Sequence, residues 1–442
     1  MNRTRGTTLY VAFLAALFFV TGVSEGYAKP SASMKFTINR EENIKDTKET
    51  LILPYAFPSE SMGTTVGVGA LAKGYGQDQL LVAASAWGSA DEAVGGVFGL
   101  WDYKLPATNR LFFSILGSVG DYPRQRAYSD ITTKGNSGSA GSNDSDEDDF
   151  LETSGEDNWW EMKLEYVLPI GAMKGDGMAN YELKRGILVS EAAGGKEWNP
   201  LTSGATVIVL KNFNRYQKFE TDEGDVDGTM HPLELGILYN NTDFYSNPSE
   251  GSSQYLSITH DFGWLESDET WTFMEFEASK YFSLGANDLA RQQVVALNMW
   301  TGSSPSWETT TNADGQVEAS HDPPYLAGAR LGGFYRMRAY PTNRFNDRSV
   351  IYTTAEYRFT PEWNPIGETS WLSWLKMDWM QLVGFVEGGR VAEEYDVSEL
   401  FSDWKVDGGF GLRAMVAGAV VRFDYAVSEE GSAGWVMFGH PF

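Results

Sequence analysis

The residues of this sequence best suited to chemistry lie in the stretch LGGFYRMRAYPTNRF, from Leu331 to Phe345. Arg336, Arg338 and Tyr340 fall on alternate positions, and Arg344 follows shortly after them. A guanidinium offers five N–H donors in a planar fork, and a carboxylate is its natural partner. The pattern predicts ion pairing by a segment that otherwise has the composition of a loop. The partners of these arginines must come from the elements around that loop.

Enzymatic and cofactor chemistry finds less support in the sequence. The four histidines are scattered without the spacing of metal ligands, and no serine lies in a G-x-S-x-G elbow. Gly67 and Gly69 match part of a dinucleotide-binding pattern, but they lie in a predicted strand that no helix follows. We therefore expect no catalytic residue and no cofactor.

Two acidic segments offer oxygen atoms that could bind calcium. One is the low-complexity tract from Ser137 to Asp157, and the other is DEGDVDG, from Asp222 to Gly228. The carboxylates of the first fit no ordered calcium loop, and the second lacks an acid at the closing position. A solvated external loop is the favoured interpretation of the first tract, and we expect no metal site.

The first 28 residues have the layout of a secretory signal peptide. Arg3 and Arg5 precede an apolar run from about Leu9 to Val23, and small residues lead to a cleavage position after Ala28. The run is short for a membrane span, so an N-terminal anchor is the less favoured alternative. The sequence therefore predicts export, with cleavage near Ala28.

The composition limits the structural class of the protein and the kinds of partner that it can bind. No later stretch has the roughly 18 consecutive apolar residues of a transmembrane helix. Aromatic residues make up 14% of the chain, glycine numbers 47, and cysteine is absent, so no disulfide stabilises the fold. A net charge of −26 repels the phosphates of nucleic acid, which we exclude as a partner.

Alternation of apolar and polar residues indicates the elements that position the charged side chains. In residues 159–170, Met162 and Leu164 fall on one face, and Lys163 and Glu165 fall on the other. A period of two is typical of β-strands with one apolar and one polar face. Three further segments show it, namely 271–282, 350–359 and 419–428.

A closed barrel in a membrane explains this pattern better than a soluble sandwich. The polar faces carry charges of both signs, which suits a water-filled or networked lumen. Strand candidates recur roughly every 25 residues, with short turns on one side and long acidic insertions on the other. Because hydrocarbon offers no hydrogen-bond partner to an open sheet edge, the sheet must close. We predict an all-β fold: a transmembrane antiparallel β-barrel of about 16 strands.

The chain then divides into a signal peptide (1–28), a periplasmic lead-in (29–60) and the barrel (61–442). In the last predicted strand, GWVMFGHPF, alternation places Val436, Phe438 and Phe442 on one face. A closing aromatic residue of this kind resembles the end of bacterial outer-membrane barrels. The candidate strands begin near Thr64, Gln79, Ala93, Arg110, Trp159, Leu183, Thr206, Pro232, Ser253, Trp271, Gln293, Ser349, Met380, Asp407, Ala419 and Gly434.

The C-terminal third resembles the bacterial surface antigen barrel, the domain shared by outer-membrane insertases of the BamA and TamA type and two-partner-secretion transporters. In that family the sixth external loop folds back into the lumen, and its tip reads Val or Leu, Arg, Gly, then Phe or Tyr. Met337, Arg338, Ala339 and Tyr340 take these places, with alanine for the glycine. The resemblance is strong over about residues 325–442 and general before them.

The resemblance also implies a partner for the loop arginine. The family arginine meets an acid in a Phe-x-Asp-x-Gly strand motif, which Phe385, Glu387 and Gly389 match with glutamate for aspartate. A guanidinium inside a barrel is costly unless paired, so we predict that Arg338 contacts Glu387. The alternative is that the loop stays outside the barrel and that these residues are ordinary lumen charges. The expected polar wall around the pair comprises Glu356, Arg358, Arg413, Arg422 and Asp424.

What the resemblance implies for function is the insertion of other barrels or the translocation of polypeptides across the bacterial outer membrane. Its partners would be outer-membrane lipid, lipopolysaccharide and a client polypeptide. Family members carry periplasmic POTRA repeats, and the lead-in is too short for one, so we expect a member without them that relies on a periplasmic accessory protein. A solute-conducting pore and a surface-exposed structural or adhesive barrel remain alternatives.

Overall fold

A computed structural model describes residues 30–40, 48–59, 61–128, 140–195, 197–222, 224–311, 317–364, 377–416 and 419–442. The predicted signal peptide, residues 137–139 of the acidic tract and Glu223 lie outside these ranges. Within the ranges, no helix has both the length and the apolar character needed to cross a bilayer.

The described part of the first half of the chain consists mainly of β-strands. Most of these strands have apolar and polar residues in alternation, which favours extended backbone with one apolar face. A single 3-10 turn, Gly171–Lys174, interrupts them in this described half. The strands are β1 (Phe36–Arg40), β2 (Glu49–Ser59), β3 (Gly63–Lys73), β4 (Leu81–Ser89), β5 (Val94–Lys104), β6 (Leu111–Ala127), β7 (Leu151–Val167), β8 (Ala179–Lys184), β9 (Ile187–Leu188), β10 (Ala205–Thr221), β11 (Gly224–Met230) and β12 (Leu233–Asn240).

The second half continues the pattern, and its described residues include one short helix, α1 (Val397–Leu400), capped by the Asp396 carboxylate. Its strands are β13 (Gly251–Phe262), β14 (Thr270–Ser283), β15 (Ala290–Ser303), β16 (Glu308–Thr311), β17 (Val317–Ser320), β18 (Ala329–Leu331), β19 (Phe345–Asp347), β20 (Ser349–Pro361), β21 (Met377–Ala392), β22 (Lys405–Val416), β23 (Ala419–Val427) and β24 (Ser432–Phe438).

The wall of the molecule is a sheet whose strands pair antiparallel in chain order, from β2 with β3 to β23 with β24. The first half of β10 pairs with β12 and its second half pairs with β11, so β11 and β12 together take the place of one barrel strand. Seventeen strands, β2–β7, β10–β15 and β20–β24, thus form the wall of a closed barrel. The predicted all-β, transmembrane antiparallel barrel is confirmed.

The two faces of the wall differ as the alternation predicted. On β13, Leu256 and Ile258 are 51% and 41% exposed, whereas the neighbouring Ser257 and Thr259 are buried. Outward side chains of the other barrel strands are also mostly apolar, which suits contact with hydrocarbon. The polar side chains of the same strands therefore line the interior.

Strand length varies around the wall. β6, β7 and β10 each have 17 residues. β4 and β23 have 9, and β24 has 7. The wall is accordingly taller near β7 than near β24.

The two ends of the barrel carry different connections. We call the end that carries residues 304–348 the loop end, and the opposite end the turn end. The loop end also carries 128–150, in line with the expected long insertions on one side. Brief turns were expected at the turn end, but residues 168–204 form a long connection there, which contains β8 and β9.

Two strand assignments need correction. The candidate near Leu183 corresponds to β8, which lies outside the barrel sheet and pairs with β1 in parallel and with β9. Conversely, residues 49–59, assigned to the lead-in, form β2 and pair with β3, so the barrel begins at Glu49. Pro54 and Pro58 lack the N–H donor of a ladder, which hides this strand in the sequence.

The end of the last strand also differs from expectation. β24 ends at Phe438, whose side chain is outside what the structure describes. Gly439 then takes a positive φ of 70°, which breaks the alternation. Phe442 therefore does not share the outer face with Val436: its ring stacks on the inward-facing Tyr281, with centroids 6.3 Å apart.

Two large clusters of buried apolar residues occupy the interior, beside two smaller ones. One includes Leu331 and Met337 of the 304–348 connection, packed with wall aromatics such as Trp300. The other includes Ala32 and Met34, ahead of β1, packed against β10. Segments from two distant parts of the chain therefore occupy the lumen.

Replacing an outward residue by a charged one tests the assignment of the faces. We expect Leu256→Arg to lower the free energy of unfolding in lipid vesicles by about 2–4 kcal/mol, because the guanidinium would enter hydrocarbon. Leu256→Met is the matched control and should cost much less. Equal effects of both substitutions on urea unfolding would show that this face does not contact lipid.

Candidate functional site

Residues 332–344, which we call the tip segment, lie inside the barrel. β18 and β19 pair antiparallel and bring the two ends of the segment together. Gly332 and Gly333 take positive φ angles of 109° and 106°, which favour glycine and turn the chain into the lumen. Met337 and Arg338 are completely buried.

The Arg338 guanidinium meets three carboxylates from three strands. Its Nη1 lies 2.6 Å from Asp424 Oδ2, and its Nη2 lies 3.1 Å from both Glu356 Oε1 and Glu387 Oε1. The predicted contact with Glu387 is therefore present. Phe385 places its ring centroid 3.5 Å from Cζ, in a cation–π arrangement. The cation is enclosed by side chains of β20, β21 and β23.

Carboxylates also hold the backbone of the tip segment. The Arg338 N–H donates to Glu387 Oε2 at 2.7 Å, and the Ala339 N–H donates to Asp407 Oδ2 at 3.0 Å. The Tyr340 hydroxyl donates to the carbonyl of Val406 at 3.3 Å. Asp407, on β22, was not singled out from the sequence, because its partner is a backbone amide that no side-chain pattern reveals.

The alanine at the tip carries no conformational cost. Positive φ falls on Met337 (58°) and not on Ala339, where the family has glycine. An L-residue is therefore accommodated at position 339 without backbone strain.

Glu356 is the hub of the polar wall. It accepts both terminal nitrogens of Arg413, at 2.7 and 2.9 Å, in a bidentate pair, and Nε of Arg358 at 2.8 Å. Arg413 Nη1 also lies 2.7 Å from His440 Nδ1. His440, which follows the last strand, thus belongs to this cluster.

Asp424 joins the wall to the tip segment. It pairs with Arg422 of the same strand as well as with Arg338. Arg422 Nη2 donates to the carbonyl of Phe334 at 2.6 Å, and Trp435 Nε1 donates to the carbonyl of Arg338 at 2.7 Å. β23 and β24 therefore hold the entry and the tip of the segment.

Charge balance lets this cluster remain buried. Within the described lumen it contains four guanidinium groups and four carboxyl groups, all 3% exposed or less. Buried charges are tolerated only when opposite charges and hydrogen bonds compensate the lost hydration. The members are Arg338, Arg358, Arg413, Arg422, Glu356, Glu387, Asp407 and Asp424.

Gly389, the last residue of the strand motif, makes room for the loop. A Cβ at this position would lie 2.9 Å from Leu331 Cδ1 and 2.8 Å from the carbonyl oxygen of Ile351. Glycine therefore allows β18 to lie directly against β21.

Arg336, two residues before the tip arginine, contacts another part of the wall. Its Nη2 lies 2.9 Å from Glu277 Oε2, and its Cζ lies 3.7 Å from the ring centroid of Trp300. Trp300 Nε1 in turn donates to Glu275 Oε2 at 2.8 Å. Arg336 therefore contacts β14 and β15, whereas Arg338 contacts β20, β21 and β23. The charged face of β14 was visible in the sequence, but its partner was not.

Arg344 attaches the acidic tract to the same loop. It forms a bidentate pair with Glu430, at 2.8 and 3.0 Å, and donates to the hydroxyl and carbonyl oxygens of Ser145, both at 2.7 Å. Asn346 N donates to the carbonyl of Gly141 at 2.8 Å.

The described part of the tract is therefore tied to the loop at Gly141 and Ser145, but the side chains of Asp146–Asp149 remain exposed, as expected of a solvated loop. Residues 151–157 of the tract belong to β7. Among the described residues, no three acidic or histidine side chains are placed to bind a metal.

Removal of the tip guanidinium tests how the segment is held. Arg338→Ala leaves Glu356, Glu387 and Asp424 with one fewer buried cation, which should cost about 3–5 kcal/mol of stability. We expect protease to cleave the 304–348 connection faster in this variant. Arg338→Lys keeps the charge but loses the fork, and should fall between the two proteins. A cleavage rate unchanged from wild type in Arg338→Ala would contradict the anchoring role.

Asp347, at the loop end, predicts a pH dependence. Burial, assisted by Glu393 and Glu399, raises the pKa of its carboxyl from 3.8 to about 7, against the opposing effects of the Arg348 N–H and Arg390. A raised acid pKa stabilises the folded loop fully below the unfolded pKa, and this contribution is lost as pH rises through about 7.

We therefore expect the loop to be more mobile at pH 8 than at pH 5.5, because pH 5.5 lies between the unfolded and folded pKa values of Asp347 and pH 8 lies above both. Because the chain has no cysteine, a spin label attached through Thr342→Cys reports on this loop alone. Asp347→Asn should remove the pH dependence, whereas Asp403→Asn, at an exposed carboxylate, should retain it. The same pH response in Asp347→Asn and wild type would contradict the assignment.

A protein family and several solved structures are similar to this chain. The profile of the Omp85 superfamily domain matches residues 194–434. A search of curated protein sequences finds no match. Similar solved structures include BamA from Haemophilus ducreyi lacking POTRA domains 1–3, with 10% identity and a TM-score of 0.47 over 91% of this chain and 73% of that chain. CdiB from Acinetobacter baumannii has 10% identity and a TM-score of 0.49, over 88% of this chain and 58% of that chain, so this chain spans less than two thirds of its length.

The matched residues include β10–β23 and the whole tip segment, and they make up more than half of the chain. The match agrees with the resemblance that the loop and strand motifs suggested. The chain belongs to the Omp85 superfamily.

Proposed function

We propose that this barrel handles polypeptides at the bacterial outer membrane, either by inserting other barrel proteins or by translocating a chain. The observation that carries the proposal is the tip segment inside the lumen, pinned by Arg338 to Glu356, Glu387 and Asp424. Ion pairs and backbone hydrogen bonds hold this segment in the lumen, which supports a lumen that can bind a polypeptide. Export by the predicted signal peptide, with cleavage near Ala28, belongs to the same proposal.

The filled lumen counts against a solute-conducting pore. The tip segment and the residues around Met34 occupy the interior from the two ends, and both are packed in buried apolar clusters. Both segments narrow any aqueous path through the barrel.

Deletion of the gene in its host tests the proposal. We expect a fall in one or more outer-membrane barrel proteins or secreted polypeptides, measured by mass spectrometry of outer-membrane and culture fractions. Wild-type protein should restore them and Arg338→Ala should not, because the lumen loses its anchored segment. An unchanged proteome, together with steady conductance of the purified protein in planar bilayers, would favour the pore.

A further inference from the structure

Residues 31–36, which we call the inner segment, lie against the wall at the turn end. Their side chains alternate as those of a bound extended peptide do. Ala32 and Met34 are 1% and 2% exposed and pack in the apolar cluster of this end. Ser31, Ser33 and Lys35 face the charged wall of β5, β7, β10 and β12.

Glu165, on β7, binds two of these residues. Its Oε1 accepts the Ser33 N–H at 2.7 Å and the Ser33 hydroxyl at 3.2 Å. Its Oε2 lies 2.7 Å from Lys35 Nζ, which also lies 2.6 Å from Asp102 Oδ1. The ammonium group has no exposed surface, so this is a built site for a cation.

Ser31 is held by the next part of the wall. Its carbonyl accepts Lys163 Nζ, and its hydroxyl accepts Lys211 Nζ, both at 2.8 Å. The same hydroxyl donates to Glu234 Oε2 at 3.0 Å. The wall therefore recognises a hydroxyl two positions before the one that Glu165 binds.

Phe36 completes the pattern in an aromatic pocket of the turn-end connections. Its ring centroid lies 5.7 Å from that of Tyr181, 6.3 Å from Phe244 and 5.8 Å from Tyr245. From Phe36 onward the chain pairs with β8 in parallel, in a small sheet separate from the barrel. Addition of an extended chain to a free strand is a recurrent mode of peptide recognition.

The charges of the wall require a cation from whatever occupies it. Five carboxylates surround Lys163 and Lys211, so the carboxylates of the wall outnumber its lysines; they are Asp102, Glu161, Glu165, Glu234 and Glu275. Lys35 of the inner segment offsets part of this excess, beside Asp102 and Glu165. An uncompensated buried carboxylate is costly, and an occupant without a lysine or arginine would leave one.

The inner segment can leave without opening the barrel. On the described part of the wall, side chains alone make the contacts with it, and from Phe36 onward its backbone pairs with β8 and not with a barrel strand. The ladder from β2 to β24 does not include it. Departure therefore costs ion pairs and hydrogen bonds that a similar peptide could replace.

We infer that this wall is a recognition groove for an extended polypeptide with two hydroxyl residues at alternate positions, then a basic and an aromatic residue, and that residues 31–36 occupy it as an internal substitute. The inference deepens the proposed function, on which it rests for the nature of the occupant. A client carrying this pattern would bind by displacing the inner segment.

A labelled peptide of residues 31–40 (SASMKFTINR) tests the groove by fluorescence anisotropy on the detergent-solubilised protein. Lys35→Glu should release the inner segment by placing a third carboxylate beside Asp102 and Glu165. We expect the peptide to bind this variant about tenfold more tightly than it binds wild type. A control peptide with glutamate for the lysine should bind about tenfold more weakly than the natural sequence. Equal binding of the two peptides would overturn the inference.

A second measurement decides the matter if Lys35→Glu does not fold. Thr37 and Asn180 are paired in register and joined by a side-chain hydrogen bond, and the chain has no cysteine. In Thr37→Cys/Asn180→Cys, excess natural peptide should slow disulfide formation, because displacement separates the two thiols, whereas the glutamate peptide should not. No effect of either peptide would overturn the inference. Neither assay requires insertion or secretion, so a failed deletion experiment leaves this result independent.

Discussion

A charge inside a closed cylinder is tolerated only where an opposite charge meets it, and this constraint organises the interior of the protein. Arg338 is buried because Glu356, Glu387 and Asp424 converge on it from three strands. Those carboxylates are in turn tolerable because other guanidinium groups reach them. The loop and the wall are therefore one electrostatic unit, and neither is complete alone.

The interior is divided between two parts of the chain by the same rule. The tip segment is bound along β14 to β24, through Arg336, Arg338 and their partners. The inner segment is bound along β5 to β12, through Lys35 and the serines before it. Each half of the wall thus has an occupant of complementary charge, at opposite ends of the barrel.

The sequence predicted the wall better than what lies within it. Alternation along β7, β14, β20 and β23 is a local property, so the barrel and the inward direction of residues such as Glu165 and Asp424 were predictable. Prolines concealed β2, and a short alternating stretch made β8 resemble a barrel strand. The contact of Arg338 with Glu387 was predicted from a family motif, whereas Arg336 with Glu277 and Lys35 with Glu165 depend on contacts distant in sequence, which no periodicity encodes.

Unequal strand length has a consequence for the surrounding lipid. With a rise of about 3.3 Å per residue and a tilt of about 40°, the 17-residue strands span about 43 Å, but β23 and β24 span only about 18–23 Å. An apolar band of about 25 Å is the usual height of such barrels. Acyl chains beside the short strands must therefore tilt or compress, whereas those beside β7 can remain fully extended. The protein imposes an asymmetric thickness on its own annulus of lipid.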